Sequence, residues 1–228
     1  MRQKTLWSFE APVKHLQDFD DLQDIQFTLS MLFTNPEYYQ HMTQHRNKPL
    51  WLDNSYNEKG KADDPDKLLQ LANEIHPDIT VSPDNPKWPE SQLKETFNRM
   101  LTFLPRRNLM LVAPTYQHYK KLKFLNPGIW GISYWNRGEW LHTNLLSMCQ
   151  KEKTHFLGLL HPREIQLYRP YSCDTSMPIK LALQDMTIQD WVDQGCQHIY
   201  TKPDFFDLEM SDTEIHTARA NIKTLKGI

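Results

Sequence analysis

Of the 228 residues, 26 are Lys or Arg and 28 are Asp or Glu, which leaves a net charge of −2 at neutral pH. No global field draws in a polyanion, so nucleic-acid contact would have to come from local basic clusters such as Arg106-Arg107 or Lys120-Lys121-Lys123. Three cysteines, Cys149, Cys173 and Cys196, with no CxxC, exclude a four-cysteine zinc site, argue against a disulfide framework and fit a reducing, cytoplasmic setting.

The opening stretch MRQKTLWSFEAP lacks an apolar signal core, and no apolar run approaches membrane-spanning length, so no membrane role is expected. Short apolar or β-rich runs then recur, each followed by a polar corner and a helical pattern. DIQFTLSMLF (24–33) precedes NPEYYQHMTQH, and PLWLD (49–53) precedes a polar loop and DPDKLLQLANEI. DITVSPD (78–84) precedes PESQLKETFNRMLTFL, NLMLVAP (108–114) precedes TYQHYKKLKFL, and GIWGISYW (128–135) precedes GEWLHTNLLSMCQK. THFLGLL (154–160) precedes HPREIQLY, and YSCDTS (171–176) precedes a long helical pattern. HIYTKP (198–203) is a weaker eighth strand candidate, before a closing helix.

Alternating strand and helix runs predict parallel βαβ units, and eight of them at on the order of 25 residues each predict a compact single-domain (β/α)8 TIM-like barrel over residues 1–228. An open doubly wound sheet is the rival. No GxGxxG or GxxxxGK[ST] follows a strand, and with seven glycines phosphate-cradling loops are scarce, so no cofactor is expected.

Asp53, Asp84 and Asp174 stand at the carboxyl ends of predicted strands. In a barrel those ends share one mouth, and acids converging there polarise one another. Asp is also a common turn and cap residue, so each alone is weak evidence. Paired carboxylates suit attack on an anomeric carbon with proton transfer to the leaving group. Metal binding with His118 or His161 has no supporting HxH or HExxH spacing, and no metal is expected.

The order of motifs PLWLDNSYN, PDITVSPD, LMLVAPTYQ, GIWGISYWN, HFLGLLHPREI and CDTSMP resembles the tRNA-guanine transglycosylase superfamily, most closely its short DpdA-like members that act on DNA. The similarity spans roughly 50 to 178. It implies cleavage of an N-glycosidic bond in a nucleic acid; the departures from the family pattern favour a DNA glycosylase acting on a flipped-out, modified base, which would suit a role in phage defence. Base exchange inserting a 7-deazaguanine derivative, and a non-catalytic nucleic-acid-binding barrel, are the alternatives. The resemblance makes Asp174 the nucleophile and Asp53 the general acid/base, with His161 assisting. It gives a base contact to Asp84; read from the residues themselves, Asn54 and Gln117 are further candidates for the base, Trp130, Tyr134 and Trp135 for stacking on it, and Arg137, Arg163, Arg169 and Lys180 for backbone phosphates. The family's zinc module is absent, and Ala113-Pro114-Thr115 stands in place of its base-reading Gln-Gly pair.

Overall fold

The computed structural model describes residues 4–44 and 46–227. Eight parallel strands alternate with helices: β1 (Leu6–Phe9), β2 (Gln26–Leu29), α1 (Pro36–Gln44), β3 (Leu50–Asp53), α2 (Tyr56–Lys59), α3 (Pro65–Ile75), β4 (Ile79–Val81) and α4 (Glu90–Met100). They continue as β5 (Leu109–Val112), α5 (Tyr116–Leu122), β6 (Ile129–Ser133), α6 (Tyr134–Arg137), α7 (His142–Lys151), β7 (Thr154–Leu157) and α8 (Arg163–Tyr168). β8 (Ser172–Thr175), α9 (Met177–Ala182), α10 (Ile188–Asp193) and α11 (Asp212–Lys226) complete the chain. This is the expected (β/α)8 barrel.

The strands are short and nearly continuous in apolar residues because both faces are covered, as parallel strands require. β5, with the sequence LMLV, is buried at every position. Alternation splits the core into two layers. Ile25, Phe27, Trp51, Ile79, Val81, Met110, Val112 and Ile129 fill the barrel lumen. Their strand neighbours, among them Leu50, Leu52, Leu109, Leu111, Trp130 and Phe156, pack outward against the helices.

The helices form where sequence pattern and caps agree. In α3, Leu68, Leu69, Ala72 and Ile75 give one buried face, Pro65 occupies the first turn, and the Asp64 side chain accepts the Asp66 N–H. Fully burying each leucine contributes about 1.5–3 kcal/mol, so the packed face outweighs the cap's roughly 1 kcal/mol. The helix ends at His76, which takes the left-handed conformation (φ 49°).

The strand order around the sheet is β1-β8-β7-β6-β5-β4-β3-β2. The eighth strand is therefore not 198–203, as the sequence reading has it, but the N-terminal Leu6–Phe9, which pairs with β8 through Trp7↔Cys173 and Ser8↔Asp174. Between β1 and β2 the seam is closed by fewer bonds. Trp7 O accepts the Asp24 and Ile25 N–H groups, at 2.8 and 3.2 Å. The Phe27 N–H donates to Ser8 Oγ at 3.0 Å. The 198–203 stretch carries no regular structure, and His198, Ile199 and Thr201 instead lie over the mouth of the barrel. Pro203 and the flanking left-handed residues Gly195, Cys196 and Asp204 fit a covering segment better than a strand.

Candidate active site

Asp53 and Asp174 lie at the carboxyl ends of β3 and β8, and Asp84 lies three residues past β4. All three are buried. They line one cavity of about 620 Å3 at that mouth, together with Glu10, Asn54, Glu58, Tyr134, Trp135 and Lys180. This volume falls in the range of small-molecule sites.

Local geometry fixes each acid. Asp53 Oδ2 accepts the Ser55 N–H at 2.7 Å, which bends the chain off β3 and holds Ser55 in the left-handed region. Asn54 donates to Ser82 O at 3.1 Å and to Asp84 Oδ1 at 2.8 Å, and thereby couples the β3 and β4 loops. Asp174 Oδ1 receives two contacts, from His155 Nε2 at 2.8 Å and from the Gly158 N–H at 3.3 Å. His155 Nδ1 lies 2.8 Å from Ser172 Oγ, so the imidazole is held at both nitrogens inside the lumen. Phe27 stacks on its ring at 4.8 Å.

The electrostatics follow from crowding acids in a poorly solvated space. Burial, then the charge of Asp174, pushes the Glu10 carboxyl up to about 8. Burial, then Glu58, holds Asp53 well above the usual carboxylate range. Burial raises Asp84 to about 6 against the hydrogen bond from Asn54. Burial raises Glu58 as well. Lys180 is displaced in the opposite sense: burial lowers its ammonium pKa, and the nearby Glu10 and Glu58 offset part of that. Its Nζ sits over the Phe205 ring, 5.2 Å from the centroid. No carboxylate stands within ion-pair distance of it among the described residues.

The other candidate residues are dispersed. Tyr134 and Trp135 line the cavity with rings 4.8 Å apart. Trp130 does not: it is buried in the outer layer against Tyr119. Gln117 is exposed on α5, away from the cavity. His161 lies in the β7–α8 turn, where its Nδ1 accepts the Arg163 N–H at 3.0 Å, and it does not line the cavity. Arg163 is exposed on α8, and Arg169 is exposed in the turn entering β8, at the opposite mouth.

Arg137 is buried and committed elsewhere. Its Nη1 bonds Glu164 at 2.7 Å and its Nη2 donates to Ile132 O and Gly158 O at 3.2 and 2.8 Å. It ties β6 to β7 and is not free to meet a phosphate. Lys180 lines the cavity among carboxylates rather than on a phosphate-facing surface. The sequence reading missed Glu10, Glu58 and His155. A histidine inside the apolar strand run THFLGLL is the one signal that pointed to His155. Among the described residues no group of three or more His, Cys, Asp and Glu is arranged to hold a metal ion. No helix among them is long and apolar enough to cross a membrane.

No family model matches the chain, and no curated protein does. Solved structures do. CdNal from Clostridium difficile, in complex with mannosamine, superposes with a TM-score of 0.56 at 11% identity, covering 99% of this chain and 100% of that one. KGPDC from Streptococcus mutans gives 0.52 at 8%, covering 98% and 99%. A Pseudomonas aeruginosa protein described as a dihydrodipicolinate synthetase gives 0.53 at 7%, covering 99% of each chain. At these identities the likeness establishes the fold.

These comparisons correct the transglycosylase resemblance: no family model supports the motif order, and the barrel superposes on CdNal, KGPDC and the dihydrodipicolinate synthetase instead. The DNA glycosylase, base-exchange and nucleic-acid-binding readings fall with it. The site gives a physical reason. A DNA backbone at this mouth would meet five acidic side chains and one lysine, while Arg137 is committed to Glu164 and strand-end carbonyls, so the lining is a poor fit for phosphates.

Proposed function

We propose that this chain is an enzyme of small-molecule metabolism that makes or breaks a carbon–carbon bond in a hydroxylated ketone or aldehyde, through an imine on Lys180. The observation that carries the reading is the Lys180 amine. It is desolvated and has no ion-pair partner among the described residues, and it stands in a cavity where burial pushes Glu10, Asp53, Glu58 and Asp84 toward their protonated forms. A lysine becomes a nucleophile when its surroundings disfavour the ammonium.

Nζ, once deprotonated, adds to the substrate carbonyl to give a carbinolamine. Glu10, protonated near neutrality, gives its proton to the departing hydroxyl, which leaves as water. The protonated imine then draws electrons from the adjacent bond. Asp174 takes the proton of the β-hydroxyl as the α–β bond breaks, which releases an aldehyde and leaves an enamine. Protonation of the enamine carbon and addition of water return the ketone and free Lys180. Asp174 suits the base role because His155 and Gly158 occupy Oδ1, while Oδ2 makes no hydrogen bond among the described residues.

The test is proton NMR in heavy water with short hydroxyketones. Imine–enamine interconversion exchanges the α-hydrogens for deuterium. The reading expects protein-dependent loss of the α-proton signal that falls at least about 100-fold in Lys180→Met, in keeping with loss of a covalent step. Exchange that survives in Lys180→Met excludes the imine.

A further inference from the structure

The acids of the cavity wall identify what kind of ligand it takes, because a cation among them favours their ionised forms and an anion opposes ionisation. Among the described residues lining it, Glu10, Asp53, Glu58, Asp84 and Asp174 face a single basic side chain of lysine or arginine type, Lys180. Several carboxylate oxygens in this wall have no donor among the described residues, Asp53 Oδ1 and Glu58 Oε2 among them. Asp53 is 8% exposed and uses only Oδ2, for the Ser55 N–H, so its Oδ1 is unengaged. Glu58 Oε2 is buried with no hydrogen-bond partner among the described residues. Buried acceptors are normally satisfied, so an unpaired one in a cavity wall marks where a ligand's donor belongs. Beside them stand the Tyr134 and Trp135 rings, whose faces attract cations.

The usual anion corner of a barrel is closed. Phosphate is commonly held by the loops after the seventh and eighth strands. Here the Gly158 N–H is given to Asp174 Oδ1. The Met177 N–H is given to Thr175 Oγ1 at 3.1 Å. Pro178 has no N–H to offer. Ile179 and Lys180 donate theirs to Ser176 O. The Arg137 guanidinium is held by Glu164 and the strand-end carbonyls.

We propose that this cavity selects its ligand by a cationic nitrogen, bound by Asp53, Glu58 and Asp84 beside the Tyr134 and Trp135 rings, and that it rejects phosphorylated and carboxylated compounds. The ligand class is therefore an amine-bearing polyhydroxy compound. The inference rests on the reading of the site as a small-molecule one, but not on the imine.

The experiment uses four six-carbon probes without a carbonyl, so that none can form an imine: 1-amino-1-deoxysorbitol, sorbitol, sorbitol 6-phosphate and gluconate. Binding to the full chain is followed by calorimetry at pH 7. The expected result is that the aminopolyol binds about tenfold or more tighter than sorbitol, the yield of one charge-assisted hydrogen bond, and that the two anions bind weaker than sorbitol. Asp84→Asn and Glu58→Gln, each checked for an unchanged far-ultraviolet spectrum, reduce that preference. Lys180→Met, inactive on the imine reading, keeps it. Equal binding of the four probes, tighter binding of either anion, or binding of none of them overturns the proposal, as does a preference untouched in both acid variants.

Discussion

His155 Nε2 lies 2.8 Å from Asp174 Oδ1, both side chains enclosed by the barrel, at 0% and 6% exposure. The pair joins β7 to β8 and aims the carboxylate at the cavity floor. Removing one member of a buried pair leaves the other desolvated and unmatched. His155→Leu is therefore expected to cost about 3 kcal/mol in urea denaturation, while His155→Gln, which can still donate to Asp174, recovers more than half of that. Equal losses in both variants would show that the packing of the ring against Phe27, and not the hydrogen bond, is what matters.

Gly158 sets the place of Tyr134. Its φ of +71° is open to glycine and strained for other residues, and a Cβ there would stand 2.6 Å from Tyr134 Cδ1. Gly158→Ala is expected to destabilise the fold by about 1–3 kcal/mol and to displace the Tyr134 ring from the cavity. Tyrosine fluorescence and a melting curve read the two effects separately. An unchanged melting temperature would contradict the assigned constraint.

The raised carboxyls give stability a definite pH slope. Asp84 titrates at about 6 in the folded chain against 3.8 for the free group. Between those values the folded state holds the proton more tightly than the unfolded one, so stability is highest below about pH 4 for this group and declines as pH rises through 6. The loss is on the order of 3 kcal/mol. Glu10 adds a decline of the same sign between 4.5 and about 8. Asp84→Asn should be more stable than the parent above pH 6, with the difference vanishing near pH 4. Chemical denaturation at a series of pH values measures it, and a parent whose stability gains from pH 4 to 8 relative to the variant would refute it.

Gln26 is buried at 2% exposure, and neither its Oε1 nor its Nε2 has a partner among the described residues. An unpaired buried amide costs more than an apolar group of like size. Gln26→Leu is expected to be neutral or stabilising by about 1 kcal/mol. A loss beyond that would mean the amide is satisfied by solvent held in the core.

Much of this architecture is legible along the chain. A run such as LMLV in NLMLVAP reads as a doubly covered strand because nearly every position is apolar, and the acids that end PLWLD and SCD mark the chemical mouth. The first strand, LWSF, hides because it lacks the strand-then-helix rhythm: only short 3-10 turns separate it from β2. Its partner β8 lies more than 160 residues away. HIYTKP has β-forming residues but no neighbour to pair with, so its composition misleads. Glu10 and Glu58 reach the cavity only through the barrel's closure and the turn at Ser55, which no local pattern encodes. Arg137 looks like a free cation in sequence, and only the strand-end carbonyls and Glu164 show that it is committed.

The most direct test of the account is reductive trapping. The chain is incubated with short hydroxyketones and sodium borohydride, digested, and analysed by mass spectrometry. The account predicts a ketone-derived secondary amine on Lys180, absent when the ketone is omitted and absent in Lys180→Met. Modification spread over surface lysines, with Lys180 unmodified, would contradict it.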